Sequence, residues 1–312
     1  MTSSAYLTGR ALHAPAPRRF RWPRWIADRA PVLTIVLVLI VVWYVAAILM
    51  NMTLVRGAFE RNDTAYSLMD LIAGTLDAER PLVAAPHQVV LTFIDLVFDY
   101  PPDSPRSLLY HSWVTLSATF VGFVLGTAFG ILLAVLIVHV RVLEKSLLPW
   151  IICSQMVPIL AVAPIIIVVL GAIGLRGLLP KSLISAYLCF FPVAIGMVKG
   201  LSSPDPIQLD LMRTWSATPL QVLWKLRLPA SVPYLFASLK VAITISLVGA
   251  IVAELPTGAQ AGLGARLLAG SYYGQTLQIW AALLAAALLA AILVGITGWA
   301  ERWAVRRMGM KP

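Results

Sequence analysis

One carboxylate stands where carboxylates are expensive. Glu254 closes the apolar run Tyr234–Leu255. An ionisable side chain at membrane depth faces packed protein, a wet cavity or a transport path, because hydrocarbon penalises it. Pro256 follows almost at once, so a second reading stands beside the first: a carboxylate solvated at the outer interface. A second polar place is Ser154-Gln155, just ahead of Pro158 in the apolar run Leu148–Leu170. Proline removes a donor and frees carbonyls, and loosened backbone at that depth lines protein or a watery cavity. Ser154, Gln155, Pro158, Ser246 and Glu254 are therefore the candidates for a substrate path. Ser246 has a bland alternative, since it shares a stripe with Gly249, Ala250 and Ala253 that suits close helix approach. Asp210 and Arg213, spaced i, i+3 on a short polar helix, form a local ion pair worth a few tenths of a kcal/mol.

Other chemistry is missing from the chain. It has no G-x-x-x-x-G-K-[ST] phosphate loop, no H-E-x-x-H, no G-x-S-x-G and no C-x-x-C. The histidines His13, His87, His111 and His139 show no metal-ligand spacing, so no metal is expected. Cys153 and Cys189 both sit in apolar runs and read as small buried residues rather than a disulfide. The chain is expected to carry no catalytic residue.

The elements that hold these residues follow from composition. Of 312 residues, 60% are hydrophobic and 12% charged; soluble domains carry about 25% charge. Mean hydropathy is +0.85. The pattern predicts an all-α membrane protein with six transmembrane helices: Pro31–Met50, Val114–Val140, Leu148–Leu170, Leu183–Val198, Tyr234–Leu255 and Gln278–Ala300. Each is close to the ~20 apolar residues that cross a bilayer. Pro158 and Pro164 should kink the third. Residues 1–30 form a basic arm that precedes the first span. A signal peptide is the competing reading, but the run is too long and no small-residue cleavage site closes it. Residues 51–112 form a proline-broken polar segment outside the membrane, with amphipathic pieces at Tyr66–Leu76 and Val89–Phe98. Residues 113–303 make a five-helix core, and 304–312 a short tail. Gly122, Gly126 and Gly130, four apart, place three glycines on one helix face for close packing. Lys240 is expected to snorkel, and Glu301 to be solvated beside Arg302. Pro256–Thr276 reads as a glycine-rich connector or an outer rim.

Charge fixes a side for each loop. Arg56, Arg61, Arg80, Arg106, Arg176, Lys181 and Arg266 fall on one side, and the remaining cations of the 24 collect on the other. The positive-inside rule places both termini and the loop 203–233 in the cytoplasm. The net charge of +10 is explained by that asymmetry, and no nucleic-acid module accompanies it.

That loop contains two helix starts. Asp205-Pro206 and Thr218-Pro219 each pair an N-cap residue with proline in the first turn. The chain bends at Ser216-Ala217, and Leu228-Pro229 is expected to end the second helix. The stretch Asp205–Pro233 resembles the EAA loop of permease subunits of bacterial ABC importers. Asp210, Leu211 and Met212 occupy the acid-Ala-Ala positions, Ser216 stands where glycine is usual, and Leu228-Pro229 matches the ending. Ser216 makes a left-handed bend less comfortable than glycine would. LVAAPHQV at Leu82–Val89 resembles the LPSP-type entry of nitrate, sulfonate and taurine permeases, and Leu109, His111 and Leu116 fit the following helix. The runs PILAVAPIIIVVL, FFPVAIGMVKGL and VGAIVAELPTGAQAGLGARLLAGSYYGQT look closest to pyrimidine or hydroxymethylpyrimidine-type permeases.

The resemblance implies a type I ABC importer permease in the bacterial inner membrane. Its path would carry a small polar organic solute, pyrimidine-like or sulfonate- or nitrate-like. It implies a permease homodimer, two cytoplasmic ATPase subunits that hold ATP and Mg, and an outer solute-binding protein, periplasmic or lipid-anchored. This chain itself would bind no cofactor. Asp210 and Arg213 would orient the docking loop, and Leu211, Met212, Ala217, Pro219 and Leu220 would supply apolar contact, with Ser216, Leu228 and Pro229 shaping it. The alternative is an ion-coupled secondary transporter without an ATPase. That class is expected to show several intramembrane acids and paired broken helices; here only Glu254 qualifies and no repeat is evident. A non-transporting scaffold would need no kinked polar span.

Overall fold

The computed structural model describes residues 24–256 and 259–309. Most of the proposed basic arm, residues 1–23, lies outside the described residues, as do 310–312 of the tail. The elements run α1 (Arg24–Arg61), α2 (Leu68–Leu76), α3 (Pro86–Phe98), α4 (Leu108–His139), α5 (Arg141–Ser154), α6 (Ile159–Ala172), α7 (Leu178–Leu201), α8 (Pro206–Thr214), α9 (Pro219–Val222), a π-turn (Leu223–Arg227), α10 (Leu228–Ala253), α11 (Leu263–Tyr272) and α12 (Thr276–Arg307). Five helices are long and apolar enough to cross a membrane, or six if the bent pair α5–α6 counts as one span.

The core is a three-helix contact of α4, α7 and α10. Small residues set its spacing. A Cβ on Gly122 would fall 2.5 Å from Ser185 Cβ, on Gly126 2.3 Å from Cys189 Sγ, and on Gly130 2.7 Å from the Phe190 carbonyl. On the other face of α7, Gly196 and Gly200 receive Ser238 and Ser231 of α10 in the same way. Helices in lipid gain little from apolar burial against each other, so close backbone approach and dispersion must hold them. Polar atoms then stitch the seam. Ser185 Oγ donates to the Ser246 carbonyl at 2.7 Å, and Ser246 Oγ donates to the Thr119 carbonyl at 2.9 Å.

The first span is longer than its apolar run. α1 begins before Pro31 and continues to Arg61, and its Val32–Leu39 face is open. Asn51, fully buried, ties it to the polar segment: its Oδ1 accepts from Leu82 N at 2.8 Å and its Nδ2 donates to the Val83 carbonyl at 2.8 Å. Trp43 donates to the Ala84 carbonyl at 2.9 Å and packs, rings tilted by 37°, with its centroid 5.0 Å from that of Trp280 of α12. The capping box of Ser67 and Asp70 opens α2, with Asp70 Oδ2 accepting from the Ser67 N–H at 2.9 Å.

Two expectations about proline need correction. The third span is broken rather than kinked. α5 and α6 meet at 95° around residues 155–158, with Pro158 extended as the cap of α6. Pro164 is carried inside α6 without breaking it. The two halves lean on different neighbours: Ile151 of α5 packs with Ile137 and Phe190, whereas Ala163 of α6 packs with Ile184 and Ala253. Conversely, Leu228-Pro229 does not end a helix. The Leu228 N–H reaches back five residues to the Leu223 carbonyl, and Leu228 keeps helical angles (φ −64°, ψ −48°). The wider π-turn makes room for the proline ring, whose clash with residue i−4 otherwise stops a helix. Residues Pro219–Ala253 thus form one span of 35 residues.

Candidate functional site

Two places concentrate polar geometry, one at each end of that span. The first is the exposed pair α8–α9. No residue of α8 is buried. Its Asp205 N–H donates to Gln208 Oε1 at 3.2 Å, and the Thr218 N–H of α9 donates to Gln221 Oε1 at 2.9 Å, so each short helix is capped by its own side chains. Between them Ser216 adopts φ +53°. A left-handed serine carries a Cβ that glycine would not. The turn closes with the Ala217 N–H donating to the Met212 carbonyl at 3.0 Å. Arg213 reaches Asp210 at 2.8 Å in a fully surface pair. Leu211, Pro219 and Leu220 are exposed, Met212 and Ala217 half-exposed, and Leu228 and Pro229 half-buried where the π-turn enters α10.

An apolar ridge runs beside them. Ile207 (81% exposed), Leu211 and Trp215 (74%) are four apart on α8, and Trp224 (65%) follows past α9. Sequence reasoning passed over Ile207, Trp215 and Trp224. The i, i+4, i+8 spacing was the available signal. Two exposed tryptophans beside a capped loop leave apolar surface that no other described residue covers.

The second place is the far end of α10. Glu254 is fully buried, which overturns the reading of a solvated interfacial carboxylate. Lys181 Nζ of α7 lies 3.4 Å from its Oε1 and also donates to the Ala261 carbonyl at 2.9 Å. The Gly264 N–H donates to Oε2 at 3.0 Å, and Thr115 Oγ1 of α4 lies 2.9 Å from Oε2. Thr115 in turn accepts from the Leu263 N–H at 2.8 Å. His111 Nδ1 accepts from the Gly262 N–H at 3.0 Å, while its Nε2 meets the Pro105 carbonyl at 2.9 Å. That pairing requires a neutral ring protonated at Nε2. Gly262 makes the closure possible. At φ +126° a Cβ there would sit 2.1 Å from Glu254 Cδ. Burial pushes the Glu254 carboxyl above the ordinary carboxylate range, against the opposing pull of the Lys181 ammonium, the Gly264 N–H and the Thr115 hydroxyl. Three elements, α4, α7 and the start of α11, are thereby clamped to one carboxylate of α10. The segment expected to be a connector holds a helix, α11, whose first turn is part of this clamp.

Beside the clamp opens a cavity of about 850 Å³, lined by Tyr110 and Ser117 of α4, Gly171 of α6, Lys181 of α7, and Arg176 and Gln260 of the loops.

The five path candidates are not brought together. Ser154, Gln155 and Pro158 lie at the α5–α6 elbow. Ser154 Oγ donates to its own helix at Ile151, and its carbonyl accepts from the Tyr187 hydroxyl. Gln155 Nε2 is buried and has no hydrogen-bond partner among the described residues. Ser246 is fully enclosed between α4 and α7. Glu254 sits in the clamp. Elsewhere, Glu301 is not merely solvated: it pairs with Lys240 across α10 and α12.

The family described as binding-protein-dependent transport system inner membrane component matches residues 126–310, from the middle of α4 through α12. The chain belongs to this family. It is 33% identical over 177 residues to a probable ABC transporter permease protein of Haemophilus influenzae, covering 57% of this chain and 70% of that one. It is 30% identical to the formylaminopyrimidine transport permease ThiX of Halalkalibacterium halodurans, covering 59% and 68%. It is 33% identical to the riboflavin transport system permease RibX of Chloroflexus aurantiacus, covering 64% and 72%. In fold it is similar to a chain of the MetNI methionine ABC transporter in an inward-facing conformation, with TM-score 0.55 and 20% identity over 64% of this chain and 95% of that one. The chain is thus a multi-pass inner-membrane permease subunit of an ABC importer, a transport component with the type I fold.

Proposed function

We propose that this permease couples to its ATPase through α8–α9 and carries a small heteroaromatic solute. The observation that carries the coupling assignment is the ridge of Ile207, Leu211 and Trp215 exposed on a capped, bent loop that no other described residue covers. Hydrolysis belongs to the separate ATPase subunit, since this chain has no phosphate loop. By the positive-inside rule α8–α9 and both termini face the cytoplasm, and the clamp faces outward. Two copies of the chain would enclose the path. The elbow at Ser154, Gln155 and Pro158 lines it, and the 850 Å³ cavity is its outer mouth. The buried Gln155 amide, a donor with no partner among the described residues, suits a ring nitrogen or carbonyl of a pyrimidine-like solute that reaches the elbow. Relatives named for formylaminopyrimidine and riboflavin, both ring solutes, support that class over the sulfonate and nitrate named for relatives of 26% and 27% identity.

Co-purification tests the assignment. The chain should bring down an ATPase in mild detergent, and D210K or W215A should abolish ATP-driven uptake while leaving insertion intact. Unchanged uptake in both variants refutes the coupling surface. A panel of radiolabelled pyrimidines and sulfonates decides the solute class.

A further inference from the structure

The end of α12 carries a basic cleft that lies outside the path and docking loop proposed above. Trp299, Arg302, Trp303, Arg306 and Arg307 line a hollow of about 280 Å³. The Arg307 guanidinium lies 4.1 Å over the Trp303 ring. No carboxylate lies within ion-pair distance of any of the three arginines among the described residues, because the adjacent Glu301 is taken by Lys240.

Position along the helix gives the cleft its environment. At 1.5 Å per residue, Trp299 lies about 35 Å from the start of α12, just beyond ~30 Å of hydrocarbon. The tryptophans therefore reach the interfacial belt, and the arginines stand among the headgroups. The face below is continuous with it. Leu288, Ile292, Ile296, Trp299 and Trp303 are exposed and recur at helical spacing, so one apolar stripe leads into the cleft. A lipid lying along that stripe presents its phosphodiester to Arg302 and Arg306, whose planar forks match phosphate oxygens in pairs.

We propose that this cleft is a binding site for one anionic phospholipid, with its acyl chains along Leu288–Ile296 and its phosphate on Arg302 and Arg306. Arg307, braced on Trp303, closes the side. A neutral lipid such as phosphatidylcholine carries its own cation and binds less well, since each arginine near an anionic surface contributes about fivefold in affinity.

The test is native mass spectrometry of the full chain, delipidated in neutral detergent and titrated with phosphatidylglycerol, phosphatidylcholine or inorganic phosphate. The wild type should retain one phosphatidylglycerol in preference to phosphatidylcholine. R302Q/R306Q should weaken that binding about 25-fold, and R302K/R306K should fall between, which keeps the test decisive if the glutamine variant misfolds. R56Q/R61Q, at the other end of the molecule, should bind as wild type. Equal retention of phosphatidylcholine, equal protection by inorganic phosphate, or undiminished binding in both arginine variants would each overturn the site.

Discussion

Removing Lys181 puts the buried clamp under the most direct strain. In K181M the Glu254 carboxylate keeps the Gly264 N–H and the Thr115 hydroxyl but loses its only cation. Stranding one partner of a buried ion pair costs about 3–5 kcal/mol. The loss is capped, because the carboxyl escapes by taking up a proton. Its pKa is already raised by burial and rises further without Lys181. A raised folded-state value means the folded protein holds the proton more tightly than the unfolded chain. The contribution of this group to stability is therefore lost as pH climbs from the ordinary carboxylate value through the folded one. K181M should accordingly approach wild type in acid and fall furthest below it above neutrality. The double variant K181M/E254Q, with no stranded charge, should be more stable than K181M alone at high pH. Thermal unfolding of detergent-solubilised protein across pH gives the global readout, and amide exchange at 259–264 the local one. Strictly additive single variants, or a pH-independent gap, would refute the clamp as an electrostatic unit.

Other perturbations test other parts. G126A puts a Cβ 2.3 Å from Cys189 Sγ and 2.7 Å from the Ala186 carbonyl, so it should cost about 1–3 kcal/mol of stability; adding C189A should restore only part, because the carbonyl stays. S216G removes a left-handed serine and should tighten the loop by about 1 kcal/mol, read as slower amide exchange at 212–218 with uptake retained. The Ser67 N–H and hydroxyl hold the Asp70 carboxyl below the ordinary range, so this cap is complete above that range and is lost as pH falls through the lowered value; D70N should abolish the resulting rise in exchange at the start of α2.

Most of the bundle was legible because hydropathy and proline punctuation are local. Each expected apolar run contains the middle of an observed helix, and the ends differ where polar residues continue a helix past the hydrocarbon, as α1 does to Arg61. The caps at Asp205 and Thr218 were equally local. What escaped was long-range. Lys181 reads as a loop cation, and nothing near it announces Glu254, 73 positions on. Glu254 itself was conspicuous, and an acid so isolated calls for a cation; the candidates were few. His111, Thr115 and Gly262 gave no signal of their own, since their role exists only once α4 and the loop before α11 meet. The proline errors have one cause: whether a proline breaks a helix depends on whether a π-turn or a neighbour absorbs the misfit, and sequence shows only the misfit.

The uninterrupted passage through Leu228 has a mechanical meaning. A hinge there would let the loop swing without disturbing the membrane part. Instead Pro219–Ala253 is one continuous span of about 52 Å at 1.5 Å per residue, with the proposed docking loop at one tip and the carboxylate latch at the other. Tilting it by roughly 10° about its middle carries each tip about 4–5 Å in opposite directions. A displacement of that size exceeds every hydrogen bond that holds Glu254, so the docking role proposed for α8–α9 would make a load on that loop felt at the latch at the far end of α10.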